Sequence, residues 1–174
     1  MKIVILKVFV LTAFLAFGAG SVFAFDGGFI DLGAEANGNA STGIAVARNA
    51  SLGLEISSNW AIGMKTAYSY AEAANTLEPS VFIRWYRFIG TSVFYAQTEL
   101  GTAIIFEDIY NSFTYMGGLA AGFRIPMGLG MYIAPVVRIG YPFIWGAGLK
   151  FGFAFNNRVA AASDDSENRE IINR

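Results

Sequence analysis

The chain contains no cysteine and no histidine among its 174 residues. Without cysteine it has no disulfide bond, no thiolate metal site and no acylated lipoprotein N-terminus. Without histidine it has neither the usual general base nor the commonest metal ligand, so we expect no metal site, no cofactor and no enzymatic activity. Charged residues make up only 14% and the net charge is −1. This gives no positive field that would attract nucleic acid.

Long apolar runs are also missing beyond the N-terminus, although 55% of the residues are hydrophobic. A membrane helix needs a run of about 18 or more apolar residues. A chain this apolar without such runs is typical of transmembrane β-barrels, whose spans are short strands. The 20 glycines suit tight turns and a crowded lumen, and the aromatic content of 16% suits contact with lipid.

Residues 1–24 have the pattern of a cleaved secretory signal peptide. Two lysines supply the positive start, residues 8–17 form the apolar middle, and residues 22–24 provide a cleavage site with a small residue at its end. A retained helical anchor is the alternative, because residues 8–24 are nearly all apolar. We expect the mature chain to be exported.

The mature sequence alternates large apolar residues with small or polar ones in eight segments that are separated by turn signals. The segments are Gly28–Ala36, Ala45–Ser57, Trp60–Tyr70, Glu78–Phe88, Val93–Phe106, Phe113–Ile125, Met131–Gly140 and Ile144–Phe155. The short connections leave no room for crossover helices, so the strands should form an antiparallel meander. Eight is the smallest strand number of bacterial outer-membrane barrels. The predicted fold class is all-β: an eight-stranded antiparallel up-and-down transmembrane β-barrel over residues 25–155.

Alternate positions of a strand face the same side of the sheet. Ten charged residues of these segments occupy the alternate positions that also carry the small residues, whereas the positions between them carry large apolar residues. They are Asp31, Glu35, Glu55, Lys65, Glu78, Arg84, Glu99, Arg124, Arg138 and Lys150. A soluble lipocalin-like carrier needs an apolar interior and a polar exterior. A membrane barrel reverses this arrangement, so we predict that the ten residues form a charge network in the lumen. Because an isolated buried charge is costly, we expect Asp31 near Lys150 and Arg84 near Glu99.

The three tryptophans, Trp60, Trp85 and Trp145, all lie near strand ends at positions that face the same side as the large apolar residues. This is the position of the aromatic girdle that lies at a membrane interface. Pro135 lacks a backbone donor inside the seventh segment, so we expect a local bulge there.

Residues 156–174 are polar and acidic, and this composition predicts a solvated tail. An even strand number puts both ends of the barrel on the same side, so we expect a periplasmic tail. A short helix that binds a partner is the alternative for this segment.

The export signal, the eight alternating segments and the closing stretch Gly148–Phe155 together resemble the small outer-membrane β-barrel proteins. These are of the type of outer-membrane proteins A (its barrel domain), X and W, and the resemblance covers residues 26–155. The closing stretch looks like the final-strand signal that the barrel-assembly machinery reads, although a tail follows Phe155 here. The resemblance implies location in the bacterial outer membrane, with the lipid bilayer and that machinery as partners. It transfers no functional residue.

Two functions remain open at this point. An eight-stranded barrel is narrow and filled by side chains, which favours a charge-plugged barrel with a structural or surface-interaction role, expected to be a monomer. The alternative is a narrow channel or porin for small solutes or ions, opened when the lumen charges exchange partners. Enzymes built on such barrels generally use a histidine beside a serine or aspartate, and this chain has none.

Overall fold

The computed structural model describes residues 26–39, 43–71, 74–106 and 111–155. The predicted signal peptide (residues 1–24) and the predicted tail (residues 156–174) lie outside the described residues. The eight strands are β1 (Gly27–Asn39), β2 (Gly43–Ser57), β3 (Trp60–Tyr70), β4 (Asn75–Ile89), β5 (Ser92–Phe106), β6 (Asn111–Gly128), β7 (Met131–Tyr141) and β8 (Trp145–Phe155). Among the described residues, no helix is long and apolar enough to cross a membrane.

The strands close into a barrel in the order of the chain, and every neighbouring pair is antiparallel. β8 pairs with β1 over eleven positions, from Gly28 opposite Phe155 to Gly38 opposite Trp145. Closure leaves no strand edge with unpaired backbone groups, as a membrane interior requires. The predicted eight-stranded meander barrel is therefore confirmed.

The two ends of the barrel differ in their connections. At one end, called the turn end here, the two-residue turns 58–59, 90–91 and 129–130 join the strands, and both ends of the barrel sequence lie there. At the other end, called the loop end, the connecting segments are 40–42, 71–74, 107–110 and 142–144.

The strands extend beyond several predicted boundaries. β4 begins at Asn75 rather than at Glu78, and β6 runs from Asn111 to Gly128. These extensions are paired: Asn75 lies opposite Phe106, which itself lies opposite Asn111. Polar residues at strand ends look like loop in a sequence, but backbone hydrogen bonds to a long neighbour keep them in the sheet.

The bulge predicted at Pro135 is wrong. The β6–β7 ladder lacks pairs between Gly122–Val136 and Ile125–Ile133, but the residue count is equal on both strands, so the register does not shift. Pro79 interrupts the β4–β5 ladder in the same way. Each proline interrupts the pairing with only one of its two neighbouring strands, because its missing N–H group would have donated a hydrogen bond to that strand. The irregularities that do shift the register lie between Glu55 and Ser57 and between Pro126 and Gly128.

The outer surface of the barrel is apolar on all sides. One large residue from each strand illustrates this, with exposed fractions from 40% to 63%: Leu32, Val46, Ile62, Val81, Leu100, Leu119, Val137 and Leu149. The interior holds small residues, aromatic rings and the charged side chains. Such a surface is stable against hydrocarbon and unstable in water, so the chain spans a membrane.

Candidate functional site: the charged lumen

The structure places all ten charged residues of the predicted set inside the barrel. Nine of them are at most 4% exposed, and only Glu55, at the turn end, is half-buried. Strict alternation along each strand puts them there, because successive side chains of a strand point to opposite faces. Five carboxylates and five cations therefore share one narrow, low-dielectric space.

Lys65 is at the centre of this arrangement. Its Nζ donates to both carboxylate oxygens of Glu99 at 3.2 Å and lies 3.6 Å from Oε1 of Glu35. Glu35 also accepts a hydrogen bond of 2.8 Å from Nδ2 of Asn49. A cation from β3 thus joins a carboxylate of β5 to one of β1 across the lumen.

Arg138 extends the network toward the loop end. Its Nη1 and Nη2 both donate to Oε2 of Glu78 at 3.2 Å, and Nη1 lies 3.8 Å from Oε2 of Glu35. Ser69 donates a further hydrogen bond to Glu78 at 3.3 Å. Glu35 therefore lies between two cations, Lys65 and Arg138, and links the middle of the lumen to its loop end.

Arg84 extends the network from Glu99 toward the turn end. Its Nη2 donates to Oδ2 of Asp31 at 3.2 Å, and its Nε donates to Oε1 of Gln97 at 2.6 Å. Gln97 in turn donates to Glu99 at 2.6 Å, and Tyr132 donates to Asp31. The predicted proximity of Arg84 and Glu99 is realised as an indirect contact: the amide of Gln97 bridges them, and Asp31 forms the direct ion pair with the guanidinium.

The predicted proximity of Asp31 and Lys150 does not extend to a direct ion pair, because Asp31 pairs with Arg84. Across the β1–β8 ladder, Lys150 lies opposite Gly33 and not opposite Asp31. Among the described residues no carboxylate lies within 4.0 Å of its Nζ. A Cβ at Gly33 would lie 2.8 Å from Cγ of Lys150 and 2.9 Å from Oδ1 of Asn49. The missing side chain at Gly33 thus provides the space that both of these side chains fill.

Aromatic rings close the half of the lumen at the turn end. The guanidinium of Arg124 lies 4.1 Å from the ring centre of Phe29 and 4.6 Å from that of Tyr132. The guanidinium of Arg84 lies 4.4 Å from the ring centres of Phe29 and Tyr95. Two buried cations therefore share the ring of Phe29, and cation–π attraction offsets part of their desolvation.

Within residues 26–155 as far as they are described, Arg124 has one ion-pair partner, Glu55, at 3.4 Å. Its Nε and Nη2 have no hydrogen-bond partner among the described residues, which makes the rings its main environment. This pair has no hydrogen bond to the chain of polar contacts that joins Asp31 to Glu78.

Buried polar atoms without a hydrogen-bond partner in the described part of the chain also include the hydroxyls of Tyr86 and Tyr95. A further group of such atoms lies along the inner wall of β1 and β2. They belong to Glu35 (Oε2), Asn37, Asn49 (Oδ1) and Ser51. Buried polar atoms of this kind are usually satisfied by ordered water. This wall adjoins Lys150, so one side of the lumen is polar and, apart from the hydrogen bond from Asn49 to Glu35, has few direct contacts between its side chains. The described residues contain no group of acidic side chains that could hold a metal ion.

The tryptophans lie on the outer surface at both ends. Trp60 and Trp85 are opposite each other across the β3–β4 ladder at the turn end, while Trp145 begins β8 at the loop end. Trp60 and Trp145 are each 46% exposed. Trp85 packs against Phe94 with ring centres 6.4 Å apart.

Sequence reasoning did not assign partners to the uncharged members of the network, Gln97, Tyr132 and Asn49. The available signal was their position in the alternation, since each is an even number of residues from an inward-facing charged residue on its own strand and so points inward too. The alternation gives the face of the sheet to which a side chain points. It does not give the position of that side chain along the barrel axis relative to residues on distant strands, so the contacts could not be derived.

Comparisons with known proteins agree with this architecture. No protein-family model and no curated protein sequence matches the chain. The N-terminal β-barrel domain of Pseudomonas aeruginosa OprF is similar in structure, with a TM-score of 0.61 and 13% identity over 75% of this chain and 98% of that one. Neisserial surface protein A gives 0.54 and 11% identity over 75% and 96%. Outer membrane protein OprG of Pseudomonas aeruginosa gives 0.53 and 10% identity over 77% and 98%.

The fold, together with the apolar outer surface, defines a small eight-stranded transmembrane β-barrel of the outer-membrane type. These neighbours support the predicted location in the bacterial outer membrane. At identities of 10–13% they share the fold of this chain, and none of their residues is carried over to it.

Proposed function

We propose that this protein is an outer-membrane barrel whose lumen is closed by its own charge network, and that its role is structural or one of surface interaction. The observation that carries the proposal is the unbroken series of polar contacts from Asp31 through Arg84, Gln97, Glu99, Lys65, Glu35 and Arg138 to Glu78. Every residue of this series is at most 4% exposed.

This series favours a plug because breaking it is costly. Opening a water path requires several buried ion pairs to separate together, and removing one partner of a buried pair typically costs about 3–5 kcal/mol. The aromatic rings around Phe29 add a second, apolar barrier at the turn end.

The proposal includes the parts of the chain outside the barrel. Residues 1–24 act as a cleaved signal peptide, and the closing strand, Trp145–Phe155, is the segment that the barrel-assembly machinery reads. The turn end then faces the periplasm together with the tail, residues 156–174, because short turns lie on that side in such barrels. The protein is a monomer with no catalytic residues, cofactor or metal.

A narrow channel for small solutes or ions is the second candidate. It is favoured by the polar wall of β1 and β2. There, within the described part of the chain, Asn37, Asn49 and Ser51 have atoms without partners beside Lys150, which has no ion pair. Water along this wall would give ions a path that leaves the central ion pairs in place.

Single-barrel conductance in planar lipid bilayers separates the two functions. For a plug, we expect no discrete openings from the unmodified protein. We expect none from a Lys150→Ala variant either, although this substitution widens the space beside the polar wall. Lys65→Met, which cuts the central series, should produce openings if that series is the barrier. Regular openings of the unmodified protein, abolished or enlarged by Lys150→Ala, would replace the plug with the channel.

A further inference from the structure

Arg48 is a cation on the face of the barrel that contacts lipid. It points outward from β2 between Val46, which is 57% exposed, and Ala50, and it is itself exposed. Among the described residues it has no ion pair, hydrogen bond or ring contact. An arginine without a partner on a lipid-facing surface is unfavourable near the bilayer centre and tolerated near the interface.

The position of Arg48 along β2 puts it near the loop-end edge of the apolar belt. It lies nine residues before Ser57, which ends β2 at the turn end. With a rise of about 3.3 Å per residue and a tilt near 45°, this separation corresponds to about 21 Å of height. The apolar band of such barrels is about 25 Å tall. If Ser57 marks the turn-end edge of the band, the backbone of Arg48 lies about 4 Å inside the loop-end edge. From there its long side chain extends toward the lipid headgroups on the loop-end side.

Two tyrosines complete the surroundings of Arg48. Tyr68 lies directly opposite Arg48 on β3, and its ring packs edge-on against Tyr70 with centres 4.7 Å apart. Together with Thr66 and Leu77, these residues line a depression of about 440 Å³ in the outer surface. The depression combines a free guanidinium, two phenol groups and an apolar floor.

A second depression lies one outward row further toward the middle of the belt, and it shares no lining residue with the first. Ala50 lies opposite Thr66, and the next outward row joins Leu52, Met64, Val81 and Leu100 across four strands. This row contributes to an apolar groove of about 450 Å³. A cationic depression near the loop-end edge of the belt thus lies next to a groove at the level of acyl chains.

We propose that these two depressions form one lipid-binding site, in which Arg48 holds a headgroup phosphate and the groove holds an acyl chain of the same lipid. The planar guanidinium matches a phosphate group with two parallel hydrogen bonds, and tyrosine hydroxyls donate at the membrane interface. The occupant is a phosphate-bearing lipid of the loop-end leaflet. This inference depends on the transmembrane fold and not on whether the lumen is plugged.

Arg87 provides the matched control for the cation. It is also exposed and outward, but it lies near the turn end, opposite Phe94. Neither of the two depressions includes it. If any outward arginine at an interface binds lipid phosphate, Arg48 and Arg87 should behave alike.

The test measures binding of diphosphoryl lipid A to the folded protein in a neutral detergent by native mass spectrometry. We expect Arg48→Gln to weaken binding by about tenfold, the loss typical of a charge-assisted hydrogen-bonded contact. Arg87→Gln should leave binding unchanged. Equal binding by all three proteins, or equal losses in both variants, would overturn the site.

The acyl-chain part of the site has its own test. Val81→Trp fills the groove and should weaken lipid A binding several-fold, whereas Leu149→Trp on β8, a position equally exposed at 55%, should not. No difference between these variants would refute the groove. Competition by millimolar inorganic phosphate would show an ion site and refute a lipid occupant. Heat-dependent gel mobility confirms in each case that the variant is folded.

Discussion

Replacing Lys65 with methionine removes the cation that joins Glu99 to Glu35 while keeping a side chain of similar length. The Nζ lies 3.2 Å from Glu99, and the two side chains are each 2% exposed. At an effective dielectric constant of 20, the attraction at this distance is about 5 kcal/mol. The desolvation of both ions offsets much of it, so the net value of the pair is smaller.

The variant leaves two carboxylates in the lumen without their main cation. Removing one partner of a buried pair typically costs about 3–5 kcal/mol. Glu99 keeps its hydrogen bond from Gln97 at 2.6 Å, and Glu35 keeps Asn49 at 2.8 Å. These remaining contacts place the expected loss of unfolding free energy at the lower end, about 3 kcal/mol.

Urea unfolding in lipid vesicles, followed by tryptophan fluorescence, measures this loss. The double variant Lys65→Met with Glu99→Gln removes one of the two carboxylates left without their main cation, so it should regain at least about half of the lost stability. Arg87→Met on the outer surface serves as a control and should change stability by about 0.5 kcal/mol or less. A loss below about 1 kcal/mol for the single variant, or a double variant as unstable as the single one, would refute a tightly coupled lumen.

Further outcomes follow from the packing and from the outer surface. Gly101→Ala would place a Cβ 2.2 Å from the carbonyl oxygen of Pro79 and should lower stability by about 1–3 kcal/mol in the same urea assay. Gly117→Ala, whose nearest contact is 3.4 Å away, is its control and should be close to neutral. Single-tryptophan variants that retain Trp85 or Trp145 should be quenched more by shallow than by deep brominated lipids; stronger deep quenching would contradict the girdle. The folded barrel should be found in the outer-membrane fraction and should change its gel mobility on boiling.

The faces of the strands were predictable because the alternation has a period of two. Asp31 and Lys150 could be assigned to the lumen without coordinates, since a shift of one residue would expose the charge to lipid. The same argument assigned Trp60 to the outer surface. Strand ends were less predictable, as β4 and β6 show, because pairing with a long neighbour extends them past polar residues.

The irregularities were predicted less well. Pro135 signalled a bulge, but an equal number of residues is skipped on both strands, so the register is kept. The shift between Pro126 and Gly128 occurs where β6 enters its turn. A sequence shows where a backbone donor is missing, but the count of residues on the partner strand decides whether the register moves.

The sequence by itself determined which side chains face lipid and which face the bore, because backbone geometry makes that choice residue by residue. Only the tertiary structure decided that Arg84 on β4 binds Asp31 on β1, and that Lys65 on β3 binds Glu99 on β5. These strands are not neighbours, so their contacts depend on the diameter, tilt and stagger of the closed barrel. Those quantities are properties of all eight strands together, which is why no local pattern in the chain encodes them.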